Sequence, residues 1–173
     1  LSQGAFIQWL DADDILGPKK LRRQLDHVHK ERNTVITSPF RPFSDHPSTG
    51  LIHDTRNWHF SSENSPAKWL SEDNMCIPAC WLVPRTLAMK AGPWDESLLI
   101  NQDGEFFARV VASADRILFD NQVEVYYLRE GGGVSKFSES KADSLFRSIE
   151  SMANTALQIE DSKRMRQMVS NRW

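Results

Sequence analysis

Three carboxylates crowd one short stretch near the start of the chain. In FIQWLDADDILGP an apolar run, Phe6, Ile7, Trp9 and Leu10, stops at Asp11, Asp13 and Asp14. A strand that ends this way puts acids at the carboxyl edge of a sheet, where open α/β sheets bind ligands. If extension continues, Asp11 and Asp13 point the same way and two hard oxygen donors converge. Such a pair suits Mg2+ or Mn2+, which take oxygen ligands and also bridge phosphates. The chemistry implied is the capture of an anionic phosphate ligand through a cation.

Other readings of the same acids compete. A calcium loop counted from Asp11 needs an oxygen ligand, a glycine and a glutamate where Ile15, Leu16 and Arg22 stand, and it fails at all three. A phosphatase of the haloacid-dehalogenase type also begins with an apolar strand and Asp-x-Asp, but Ile15 occupies its Thr/Val position and no later paired-acid motif follows a glycine. Acids that only cap and solvate a strand-to-helix turn are common, and the cluster alone leaves that option open.

The elements that would position these acids alternate between strand and helix, which places the chain in the α/β class. Strands are expected at 5–10, 34–38, 77–83, 116–120 and 122–129. Helices are expected at 18–32, with Pro18 at the start and a Leu21, Leu25, Val28 stripe, at 84–92 and at 103–114. Residues 66–72 read as a helical turn. Residues 39–65 read as loops with a small hairpin near 51–53 and 58–60. Gly131–Gly133 reads as a flexible joint. From about Ser138 the chain is helical by composition, with Leu145, Ile149, Met152, Ala156 and Ile159 forming a face that packs on the body or on a partner.

Bulk properties narrow the function. A chain of 173 residues suggests one domain, and a net charge of -2 argues against a general nucleic-acid binder. No apolar run is long enough for a transmembrane helix, and the first residues do not form a signal peptide. The start at Leu1, directly before a strand, reads as a piece of a longer polypeptide. Cys76 and Cys80, if extended, lie about 13 Å apart at about 3.3 Å per residue, too far for a disulfide. Two reduced thiols suit a reducing compartment, so the expected location is cytoplasmic, with peripheral membrane association left open. The five histidines show no metal-ligand spacing.

The second half adds a distinctive set: Pro84-Arg85, Gly92-Pro93-Trp94-Asp95-Glu96, Asp103-Gly104-Glu105 and Tyr126-Tyr127-Leu128-Arg129. Taken in order with Asp11-Ala12-Asp13-Asp14, over residues 3–137, it resembles the family 2 glycosyltransferases with a GT-A fold. The resemblance implies a partial GT-A, Rossmann-like nucleotide-diphospho-sugar transferase fold: a mixed sheet with flanking helices over 1–137 and a C-terminal helical tail over 138–173. Two departures stand out. Gln102 replaces a Glu that the family often has, and the N-terminal half that contacts the nucleotide is absent.

The resemblance also implies roles. A nucleotide-sugar donor gives its sugar to a carbohydrate or other hydroxyl acceptor, with inversion and with Mn2+ or Mg2+ as cofactor. Asp13 is the implied metal ligand, Asp11 contacts metal or donor, and Asp14 and Arg129 belong to the donor side. Asp103 is the implied catalytic base. Trp94, Asp95 and Glu105 are implied on the acceptor side. Each has a plainer alternative: Asp103 as a helix cap, Trp94 as a core residue and Arg129 as a surface cation. Processive synthases of the same broad family carry an Arg-Trp motif, but in VSNRW the leading position is Val169, so Arg172-Trp173 is read as an accidental echo. A truncated, non-catalytic homologue acting as a binding module is the alternative from another class.

Overall fold

The computed structural model describes residues 3–28, 31, 33–52, 60–72, 76–129 and 137–172. In chain order these form β1 (Phe6–Gln8), β2 (Ile15–Leu16), α1 (Lys20–Val28), β3 (Thr34–Thr37), β4 (Phe40–Phe43), β5 (Glu63–Asn64) and α2 (Pro66–Ser71). There follow β6 (Leu82–Pro84), α3 (Arg85–Ala91), α4 (Gln102–Ser113), β7 (Arg116–Phe119), β8 (Val125–Leu128), α5 (Ala142–Ile159) and α6 (Lys163–Arg172). Parts of the expected hairpin, the Gly131–Gly133 joint and Trp173 lie outside the described residues.

β3 and β7 are parallel neighbours inside a five-stranded sheet ordered β1-β6-β3-β7-β5, whose other pairings are antiparallel. The same two chain segments run on, past bends after Thr37 and Phe119, into β4 and β8. These pair in parallel in a three-stranded sheet ordered β2-β8-β4. Backbone bonds bridge the bend, from Asp120 N–H to Thr37 O at 2.9 Å and from Val125 N–H to Pro39 O at 3.1 Å. The architecture is therefore mixed α/β with flanking helices, as the alternation of elements implies.

Three elements differ from expectation. Residues 40–43 form β4 despite Pro42, because β4 is the edge strand of its sheet and an edge position tolerates a missing donor. Residues 78–80 form a 3-10 turn, closed by Cys80 N–H to Ile77 O at 3.0 Å, so the strand begins only at Leu82. The turn also overturns the extended spacing assumed for the cysteines, since Cys76 folds back beside Cys80. Burial, then hydrogen bonding with Cys76, pushes the Cys80 thiol well above its usual range.

In α1 the buried face is Lys20, Gln24 and Val28, while Leu21 and Leu25 are exposed. The Lys20 ammonium is kept inside by bonds to Gln8 Oε1 and Gln24 Oε1, both 2.8 Å. Burial lowers its pKa to about 8.

The main core lies between the larger sheet and α4. Phe106, Phe107, Val110 and Val111 of α4 are buried, and Trp81 stacks on Phe107 with centroids 5.1 Å apart. Each such aromatic pair contributes about 0.5–1.5 kcal/mol beyond its buried area. The tail breaks at residues 160–162. α5 lies along α4, and α6 reaches α2. Among the described residues, no helix is long and apolar enough to cross a membrane.

Candidate active site

β1 delivers the chain to the acidic turn, and Trp9 anchors its end. The indole packs edge-on against Phe106 and Phe107 of α4, at 5.5 and 5.3 Å. Beyond this wedge the backbone turns, Asp14 N–H closing onto Asp11 O at 3.2 Å. Asp11 and Asp13 are left exposed and Asp14 points inward, buried. The turn then enters β2, which pairs with β8. Gly17 makes the close approach possible: a Cβ there would sit 2.4 Å from the Glu124 carbonyl oxygen.

Negative charge accumulates here without a matching cation in the turn itself. Partial burial, then Asp13 and Asp103, raise the Asp11 carboxyl. Asp14 is raised further, to about 6, by burial above all; a bond from Leu128 N–H opposes the rise, and Asp11 and Asp13 add to it. Asp14 Oδ1 accepts that bond at 3.3 Å, while Oδ2 is buried with no hydrogen-bond partner.

Asp103 arrives from the opposite side, on the first turn of α4. The cap position belongs to Asn101, whose backbone is left-handed (φ 57°), so Asp103 is not the N-cap. Its charge acts on Asp11 and on Tyr127. Burial, Asp14 and Asp13 raise the Tyr127 phenol, Arg129 lowers it, and Asp103 raises it. Tyr127 and Arg129, two positions apart, share one face of the strand direction. The exposed Arg129 thus bears on the Tyr127 phenol.

The charges of Asp13 and Asp103 thus bear on Asp11, those of Asp11 and Asp13 on Asp14, and that of Arg129 on Tyr127. Trp94 is stacked on Phe106 at 4.5 Å, so its inner face packs on the core. Asp95 is exposed but folds onto its own turn, accepting from the Ser97 N–H at 2.9 Å and the Ser97 hydroxyl at 2.6 Å. Those two bonds hold its carboxyl below the usual range. Glu105 departs from the expected acceptor side. It is buried, and its carboxylate is taken up by Arg109, at 2.8 Å to each oxygen, and by the Ser151 hydroxyl at 2.9 Å. Its carboxylate bonds helix to helix. Tyr127 is the site neighbour that sequence reasoning left unassigned; its place two residues before Arg129 was the available signal.

The donor set bears on the implied cation. Among the described residues, no three His, Cys, Asp or Glu side chains form a ready metal cage. Two exposed carboxylates and an unpartnered buried oxygen nonetheless fit a cation that keeps water and phosphate oxygens for most of its shell, as Mg2+ does.

The fold is mixed α/β, with acids after a strand end and another acid at a helix start. The match to known proteins specifies it. The family model for glycosyl transferase family 2 matches residues 1–92, and the chain belongs to that family. An uncharacterized glycosyltransferase of Methanocaldococcus jannaschii is 23% identical over 113 residues, covering 65% of this chain and 38% of that protein. Among solved structures, S. aureus TarS in complex with UDP-GlcNAc superposes with a TM-score of 0.71 at 15% identity, over 98% of this chain and 48% of that one. A further TarS structure gives 0.69 at 12% identity, over 97% and 45%. These likenesses identify the fold as that of a GT-A glycosyltransferase. The chain spans less than half the length of the relatives it matches.

Proposed function

We propose that this chain is the acceptor-side part of an inverting, cation-assisted glycosyltransferase that moves a sugar from a nucleotide diphosphate to an acceptor hydroxyl. One observation supports the reading: the Asp103 charge bears on Asp11, after burial and Asp13, in a chain that the glycosyl transferase family 2 model matches. Asp103 takes the proton of the attacking hydroxyl. Asp13, with Asp11, would hold Mn2+ or Mg2+, which offsets charge on the departing diphosphate. Arg129 meets the diphosphate, to which its planar fork is suited. Trp94 and Asp95 border the acceptor. The UDP-GlcNAc bound to TarS makes UDP-sugars the first donors to try.

The test uses the full-length protein. Calorimetry titrates UDP- and GDP-sugars with Mn2+, Mg2+ or EDTA, and proton NMR reads the anomeric configuration of the product. Cation-dependent donor binding and an inverted product are expected. The rival reading is a non-catalytic binding module. Absence of donor binding by the whole polypeptide would select that rival.

A further inference from the structure

Helix α5 bonds to the segment 97–105 at four successive points along one face. Arg147 donates to Ser97 O at 3.2 Å and to Ser97 Oγ at 3.1 Å. The Ser144 hydroxyl accepts from Leu99 N–H at 3.2 Å, and the Ser148 hydroxyl accepts from Asn101 Nδ2 at 3.0 Å. The Ser151 hydroxyl donates to Glu105 at 2.9 Å. Ser144 and Ser148 are buried, 4% and 0% exposed. Positions 144, 148 and 151 follow helical spacing, so the stripe that meets this segment is hydroxylic, beside the apolar face that the sequence displays.

The central contact is the most constrained. Asn101 sits in the left-handed region at the very start of α4, two residues before Asp103. Its Nδ2 is fixed by Ser148 and Met152 Sδ. Its Oδ1 fills the space over Gly104: a Cβ there would lie 2.4 Å from that oxygen. Ser148 cannot turn away, since its own hydroxyl donates to Leu145 O at 2.7 Å.

We infer that Asn101, seated between Ser148 and Gly104, is a positioning residue that sets the first turn of α4 and thereby aims Asp103 at the acceptor hydroxyl. Helix α5 then acts on the chemistry through the first turn of α4. This rests on the assignment of Asp103 as base.

The experiment compares Gly104→Ala, Asn101→Gly, their double variant and Ser148→Ala in the full-length polypeptide. Gly104→Ala should raise or preserve the melting temperature, because alanine favours a helix, yet lower kcat at least tenfold by displacing Asn101. Asn101→Gly keeps the left-handed backbone and should cost a similar factor. In the double variant the added methyl group meets no side chain, so its loss should equal that of Asn101→Gly alone. Ser148→Ala should also lower kcat, and in all four the donor Kd and acceptor KM should stay within about twofold. Unchanged kcat in Gly104→Ala, multiplying losses in the double variant, or losses carried by donor affinity would each overturn the inference. Asp103→Asn separates the two levels: full turnover there removes the base and the inference together. Its inactivity beside fully active Asn101 and Gly104 variants removes the inference alone.

Discussion

The Asp14 carboxylate accepts the Leu128 N–H at 3.3 Å, joining the acidic turn to β8 across 114 positions of sequence. One oxygen is bonded and the other is buried and unpartnered. Both strands that border the site are thus tied through a carboxyl group held near pH 6.

That tie makes stability depend on pH. Burial raises the Asp14 carboxyl from 3.8 to about 6, with Asp11 and Asp13 adding to the rise. The folded chain therefore binds this proton more tightly than the unfolded chain. Stability from this group is greatest below pH 4 and falls as pH climbs through 4 to 6. A shift of this size is worth about 3 kcal/mol before screening by water, which reduces it. Asp14→Asn should match the parent near pH 4 and exceed it by about 1 kcal/mol at pH 7 in EDTA. Urea unfolding at both pH values checks this; parallel curves would sink it.

Asp103→Asn addresses the chemistry. The amide keeps the shape of the side chain but cannot accept the hydroxyl proton. General bases contribute about 10²–10⁴-fold, so kcat should fall by that range while donor Kd is unchanged. Stopped transfer assays beside calorimetry separate the two quantities. Weakened donor binding with normal kcat would move Asp103 to the donor side.

Asp13→Asn and Asp11→Asn address the cation. Removing one of two hard oxygen ligands should weaken Mn2+ binding about tenfold or more, and donor binding should fall with it. Replacing Asp11 also removes a like charge that raises the Asp14 carboxyl. Manganese titration followed by proton relaxation reads the loss directly. Equal Mn2+ affinity in parent and both variants would remove the cation from this turn.

Much of the site is legible in the sequence because its acids stand where apolar patterns stop. Asp11 and Asp13 end a strand-like run, and Asp103 precedes a run of α4 core residues. The Leu128 N–H is not legible, since a backbone donor leaves no mark in side-chain type. Glu105 misleads because an acid two positions past Asp103 looks like a site acid; only Arg109, four residues on, hints at its buried partner. In α1 the leucines suggest the wrong face, since the Lys20 ammonium bonds Gln8 on another element and Gln24 beside it. Pro42 hides β4 because edge status depends on the neighbouring strands.

Glu105 supplies the last prediction. Arg109 grips both of its oxygens and also bonds Pro93 O at 2.8 Å, beside Trp94, while Ser151 reaches the same carboxylate from α5. Removing one partner of a buried pair leaves the other charge without compensation and costs about 3–5 kcal/mol. Arg109 is partly exposed, so Glu105→Gln should fall at the lower end, about 3 kcal/mol. Arg109→Lys should also destabilise, because an ammonium cannot make the paired bonds. If the carboxylate works as this clamp, urea unfolding will show the loss while the acceptor KM of the folded fraction stays constant. A raised acceptor KM with unaltered stability would instead return Glu105 to the acceptor side.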